Sequence, residues 1–252
     1  MKVFLATVAC VAALLVVGHA TAAQITVIST LNIRPALEQL VGPFEKATGD
    51  TITLRSQPAT PTRLLIERHA AGDVVIHSRL VLESLAKKGL LSRKSIVDVA
   101  HASIAVIVRA GAPTPDIASD EALRKALLKA FAVTYPDPAE GSIGGNYLAL
   151  LFHRWGMTAR LKPKLELACG GASAAKFVAD GVADIGLNQG AELTGVPGVV
   201  FLRPLPPALR RVIVMSAAVL PGSRHPVQAA KWIAFLRSPQ AAIALHEHGL
   251  EP

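Results

Sequence analysis

Gln24-Ile25-Thr26-Val27-Ile28-Ser29-Thr30-Leu31-Asn32-Ile33-Arg34-Pro35 reads as a short strand, a polar loop and the first turn of a helix. Ile25, Val27 and Ile28 are β-branched and apolar, as a strand buried on both faces requires, and Pro35 suits the opening turn of a helix, where no backbone donor is needed. Thr30, Asn32 and Arg34 therefore fall where unpaired helix amides and the positive end of the helix dipole meet solvent. That geometry favours capture of a small anion.

Upstream, Lys2, the apolar run Val3 to Val17 and the small residues ending at Ala22 have the charged start, apolar centre and small-residue end of a secretory signal. The run is too short for the roughly 20 apolar residues that span a bilayer, so the expectation is a signal peptide over residues 1–22 and a periplasmic product. Cys10 lies within that run, which leaves the exported part a single cysteine, Cys169. One thiol forms no internal disulfide, and no cysteine pair has metal-site spacing; neither a metal nor another cofactor is expected.

The formal charge is +8, one unit less without Lys2. Lysines and arginines are scattered, with small clusters at Lys87-Lys88, Lys162 to Lys164 and Arg210-Arg211, and none is interleaved with aromatics that could stack on bases. Nucleic acid is thereby excluded as the expected partner. A small anionic ligand and a monomeric chain are the simpler expectation.

From Ile25 onward, β-branched runs alternate with amphipathic stretches, which implies an α/β fold with a mainly parallel sheet. Leu37, Leu40, Val41 and Phe44 share a helix face that Gly49 ends; Thr51 to Leu54 is a strand, a helix follows Pro58, and Asp73 to Ile76 is a third strand. Ser103 to Val108 is extended, and after Gly111-Ala112-Pro113-Thr114-Pro115 the alternation restarts. Arg211 to Ala218 is a late strand, followed by two helices. If the chain crosses twice between lobes, residues 23–107 and 212–252 form lobe 1 and residues 108–211 form lobe 2, with a ligand cleft between them and a two-strand hinge.

Ile25-Thr26-Val27, the helix ending Phe44-Glu45-Lys46-Ala47-Thr48-Gly49, and Gly72-Asp73-Val74-Val75-Ile76 resemble the molybdate-binding proteins of ABC importers. The resemblance continues through Lys88-Gly89-Leu90, Asp137-Pro138, Leu161 to Leu165, Ala183-Asp184-Ile185-Gly186, Ser238-Pro239-Gln240-Ala241 and His248-Gly249-Leu250, nearly the whole exported chain. It implies a bilobed type 2 periplasmic binding protein and an ABC permease as partner. The family's ligand positions fall on Asn32, on Pro58-Ala59, on Ile143 beside Ser142, and on Gln189, so three of its side-chain donors are replaced. Each hydrogen bond to a charged group is worth about 1.5 to 3 kcal/mol, which disfavours molybdate.

A larger organic acid suits the residues present. Arg63, with Thr60 beside it, offers a guanidinium fork for a carboxylate, and Asn188 and Gln189 offer amides that donate and accept. Each has a plainer use: Arg63 can pair with Glu67 and Arg34 with Glu38, each one helical turn on, and the amides can cap their strand. The loop Gly141-Ser142-Ile143-Gly144-Gly145-Asn146 presents backbone donors but lacks the ending of a nucleotide loop. His246 and His248 are too closely spaced to share a helix face, Ser142 has no triad partners, and Cys169 reads as a buried or loop thiol.

Two functions follow from this reading. The first is a receptor for a di- or tricarboxylate that delivers it to an importer. The second rests on a resemblance of the same group to aconitate isomerase, which implies an allylic proton shift between trans- and cis-aconitate, with Arg34 and Arg63 as clamps and Glu140, His77 or Tyr147 handling the proton.

Overall fold

The structure, a computed structural model, describes residues 22–169, 171–193 and 196–252. Apart from Ala22, the expected signal segment lies outside the described residues. The chain opens with β1 (Gln24–Thr30), a single 3-10 turn over Leu31–Ile33, and helix α1 (Arg34–Thr48). Pro35 occupies the first turn of α1, and Gly49 stops the helix in the left-handed region at φ 76°, its N–H donating to the Glu45 carbonyl. β2 (Thr51–Gln57), α2 (Ala59–Glu67), β3 (Val74–Ser78) and α3 (Arg79–Lys87) continue the alternation.

β4 (Val97–Arg109) is followed by α4 (Asp120–Lys129), β5 (Val133–Pro136), α5 (Ile143–Arg154), α6 (Thr158–Leu161) and β6 (Leu165–Ala168). Then come α7 (Gly171–Ala179), β7 (Ile185–Gln189), α8 (Gly190–Leu193), β8 (Val199–Pro204) and β9 (Val212–Val219). Helices α9 (Pro226–Phe235) and α10 (Pro239–Glu247) and the short β10 (Leu250–Glu251) close the chain.

The strands run in the order β2-β1-β3-β9-β4-β7-β5-β6, with β8 and β10 also paired to β4. Among the described residues β1–β2, β1–β3, β5–β6 and β5–β7 are parallel, while every pairing of β9 and of β4 is antiparallel. The sheet is thus mixed, not mainly parallel. The reason is topological: β4 and β9 lie between the parallel sets and run against the strands they join. Within β4 the partner changes between Ser103, opposite Val212 of β9, and Ile104, opposite Gln189 of β7.

Alternation along the strands sorts the cores. Val27, Val74 and Ile76 face α1, α9 and α10, whereas Ile28 and Val75 face α2 and α3 through Ile66, Leu82 and Leu85. Beyond Ser103 the same rule puts Ile104, Val106 and Val108 against Leu123, Leu148 and Phe152, and Ala105 and Ile107 against Ala175 and Val178. Both faces of both halves are helix-covered, which is why the strands read as continuous apolar runs. Phe44 and Trp232 meet edge to face at 5.0 Å between ring centres and lock α1 onto α9.

Two carboxylates tie loops to this frame. Asp73 accepts the Thr26 N–H at 2.8 Å and the Ser223 hydroxyl at 2.6 Å, and Asp98 accepts the Ser216 hydroxyl at 2.6 Å and the Arg79 guanidinium at 2.7 Å. Arg79, the first residue of α3, is thereby fixed to β4 and β9.

Candidate functional site

Three helices and one 3-10 turn begin around a single cavity of about 70 Å³. β1 delivers Thr30, Leu31 and Asn32 at the start of the 3-10 turn, Pro58 and Ala59 open α2, His77 and Ser78 lead into α3, and Ser142 and Ile143 open α5. Each stands at the carboxyl end of a parallel strand or in the loop that follows it, where α/β sheets place ligands. The convergent amides and dipoles make this an anion-favouring pocket. Its remaining wall is largely apolar, with Ile213 and Met215 from β9, so carbon skeleton as well as charge can be accommodated.

A chain of hydrogen bonds crosses the floor. The Thr30 hydroxyl donates to Asn32 Oδ1 at 2.5 Å, Asn32 Nδ2 donates to Gln189 Oε1 at 2.7 Å and to Met215 Sδ at 3.4 Å, and the Gln189 N–H donates to Asn188 Oδ1 at 2.7 Å. Both donor hydrogens of Asn32 are thus engaged with protein. Asn32 holds the two sides of the pocket together in addition to lining it.

His77 is buried at the end of β3. The Ser78 N–H donates to Nδ1 at 2.7 Å, which leaves Nε2 carrying the hydrogen toward the Ala59 carbonyl at 3.0 Å. Burial, with a smaller contribution from the charge of Arg63, brings its pKa down to about 4 against the raising effect of the Ala59 bond. The imidazole is neutral at pH 7 and spans the strand and the start of α2.

Among the residues singled out from the sequence, Thr30, Asn32, Ser142, Ile143, Gln189, Glu140 and His77 line the cavity. Asn188 is buried directly behind it. Thr60 turns its hydroxyl to the Glu140 carbonyl at 3.2 Å and so joins α2 to the loop before α5. Arg34 and Arg63 do not line the pocket: they pair one turn along their own helices with Glu38 at 2.7 Å and Glu67 at 2.6 Å. Glu67 also accepts Lys88 at 2.6 Å. Tyr147 packs with the core of the second half and donates its hydroxyl to the Leu209 carbonyl at 2.7 Å.

Several wall residues escaped the sequence reading. Ser78 repeats the strand, polar residue, helix pattern of Thr30 and was findable by that signal. Ile213 and Met215 lie in an apolar run that nothing distinguishes from core. Cys169 is the loop thiol of the two alternatives the sequence allows, exposed just after β6, and it also lines the cavity. Among the described residues no group of three His, Cys, Asp or Glu side chains could hold a metal ion, and no helix is long and apolar enough to cross a membrane.

Residues 25–251 match the family described as bacterial extracellular solute-binding protein. The chain belongs to this family. It is 33% identical over 236 residues to an aconitate isomerase from Pseudomonas sp., a match spanning 90% of this chain and 87% of that protein. Its fold is that of the type 2 periplasmic binding proteins. The periplasmic molybdate-binding protein of Azotobacter vinelandii superposes with a TM-score of 0.71 at 21% identity, over 90% of this chain and 99% of that one. A sulfate-binding protein of Mycobacterium tuberculosis H37Rv gives 0.71 at 17% identity, over 91% and 87%. This solute-binding protein thus shares its scaffold with a molybdate-binding and a sulfate-binding protein.

Proposed function

We propose that this family member is an exported isomerase that interconverts trans- and cis-aconitate within the cleft. The observation that carries the proposal is Glu140, the one carboxylate among the described residues of the cavity wall. A carboxylate-bearing residue on the wall of an anion-favouring site opposes simple binding through like-charge repulsion, but a carboxylate is what abstraction of a proton from carbon requires. The 33% identity to an aconitate isomerase supports the same reading.

In the proposed step the Glu140 carboxylate takes a proton from the methylene carbon of aconitate, breaking that C–H bond. The electron pair spreads over the allylic carbons and into the attached carboxylates, where the amides opening α2, α3 and α5 stabilise the added charge. Glu140 returns a proton to the opposite end of the allylic unit, the double bond having moved, and is regenerated. Nothing is oxidised or reduced. His77 is assigned a positioning role because both its nitrogens are engaged with backbone, and Tyr147 is assigned none.

Family membership favours a second reading, a receptor that binds a di- or tricarboxylate and delivers it to an ABC permease. Both readings place the product in the periplasm after removal of residues 1–22. Both also use residues 23–107 with 212–252 as one lobe of a monomer and residues 108–211 as the other, hinged where β4 and β9 pass between them. Incubation of the exported form with trans-aconitate, without added metal or nucleotide, separates the two by proton NMR. Appearance of cis-aconitate, abolished in Glu140→Gln, is the expected result. Saturable binding with no product would establish the receptor instead.

A further inference from the structure

We propose that Arg211 selects for a third carboxylate by holding it at the mouth of the cleft; this rests on the carboxylate reading of that cleft. A second cavity of about 240 Å³ adjoins the first and shares Ser78, Ile143 and Ile213 with it as common wall. Two cations line the outer part, Arg79 and Arg211. The charge of Arg79 is already taken, by both oxygens of Asp98 at 2.7 Å and by Glu83 at 3.0 Å. Arg211 makes no ion pair or hydrogen bond among the described residues.

Arg211 stands one residue before β9, the strand that supplies Ile213 and Met215 to the inner wall. Leu80 and Val212, both exposed, flank it with apolar surface. A ligand with its reacting carbons beside Glu140 and its inner carboxylates at the helix amides directs its remaining carboxylate outward to the one uncompensated cation of the opening. A planar guanidinium suits that group. The sequence showed Arg210-Arg211 only as a small basic cluster; the assembled cleft separates the two.

The test compares wild type, Arg211→Gln and Arg211→Lys by calorimetry against trans-aconitate and mesaconate, which lacks the outer carboxymethyl carboxylate. In Arg211→Gln, trans-aconitate affinity is expected to fall by about tenfold or more, the loss of one charge-assisted hydrogen bond, while mesaconate affinity is unchanged. Arg211→Lys is expected to recover part of the loss, and equal melting temperatures confirm intact folds. Unchanged trans-aconitate affinity in Arg211→Gln, or an equal loss for both ligands, overturns the proposal. Failure of the wild type to bind either acid overturns the carboxylate reading itself, and the role of Arg211 with it.

Discussion

Asn32 donates a 2.7 Å hydrogen bond to Gln189, joining the end of β1 to the end of β7 across 157 positions of sequence. The same amide nitrogen reaches Met215 Sδ in the middle of β9, so one side chain in the turn after β1 also contacts two further strands. The pocket is held at its floor by a contact between segments far apart in the chain. A side chain in the position where the family resemblance puts a ligand serine therefore has both its donor hydrogens committed to the protein.

Asn32→Ala removes this connection. The expected cost is about 1 kcal/mol of stability, the net worth of a typical buried hydrogen bond, with weaker affinity for trans-aconitate because the two sides of the cleft lose their tie. Asn32→Asp is expected to bind the acid still less, since it adds a carboxylate to an anion site. Urea unfolding and calorimetry measure both; retention of wild-type affinity in the alanine variant would remove Asn32 from the clamp.

Acid sensitivity should carry the signature of His77. Its folded pKa of about 4 lies below the ordinary value of 6.5, so between these pH values the unfolded chain binds the proton and the folded chain does not. Stability is full above pH 6.5 and is lost as pH falls toward 4, by about 3 kcal/mol. Asp73 and Asp98 act in a lower window. Burial raises each carboxyl, but hydrogen bonds from Ser223 and backbone amides, and from Ser216 and Arg79, outweigh it and hold both below the usual carboxylate range. Their contribution is lost only below pH 3.8. In His77→Gln the slope between pH 6.5 and 4 should flatten while the lower one persists; an unchanged slope would dismiss the buried neutral imidazole.

The sequence reading succeeded where local rules decide. Pro35, the Leu37-Leu40-Phe44 face and Gly49 delimit α1 because capping and periodicity are local. It failed where contacts are distant. α3, β8, β10 and the first half of β4 are not legible in the sequence; β10 is two residues long, the first half of β4 is interrupted by Asp98 and His101, and these two and the apolar β8 become strands through pairing with β4 or β9. The late strand was legible as a strand but not as a wall of the cleft, since its arrival there depends on the second crossing. Arg34 and Arg63 illustrate the same limit, because spacing allowed both a clamp and an ion pair and only the fold distinguishes them.

Arg34→Ala and Arg63→Ala should accordingly leave ligand affinity unchanged. Both guanidiniums are occupied by carboxylates four residues on and are substantially solvent-exposed, so each loss should cost at most about 0.5 kcal/mol of stability. Arg63→Ala has one further expected effect: removing its charge raises the pKa of His77, which an imidazole NMR titration reads directly. A clear drop in trans-aconitate affinity in either variant would restore the clamp that the sequence allowed.

Two helical glycines make opposite predictions under the same substitution. Gly145 lies in the first turn of α5, its N–H on the Ser142 hydroxyl at 3.2 Å, and a methyl group there would run into the Pro136 backbone carbonyl. Backbone cannot yield as a flexible side chain does, so Gly145→Ala must push α5 away from β5, with an expected loss of about 1 to 3 kcal/mol. Because Pro136, Glu140, Ser142 and Ile143 all line the cavity, ligand affinity should fall with it. Gly42, inside α1, has nothing within 4 Å of the corresponding methyl, and Gly42→Ala should stabilise the protein by about 0.5 to 1 kcal/mol with binding unchanged. Urea unfolding of both variants beside calorimetry checks the pair: a Gly145→Ala protein that is as stable and binds as tightly as wild type would show that the close approach of α5 to β5 does not set the geometry of the cleft.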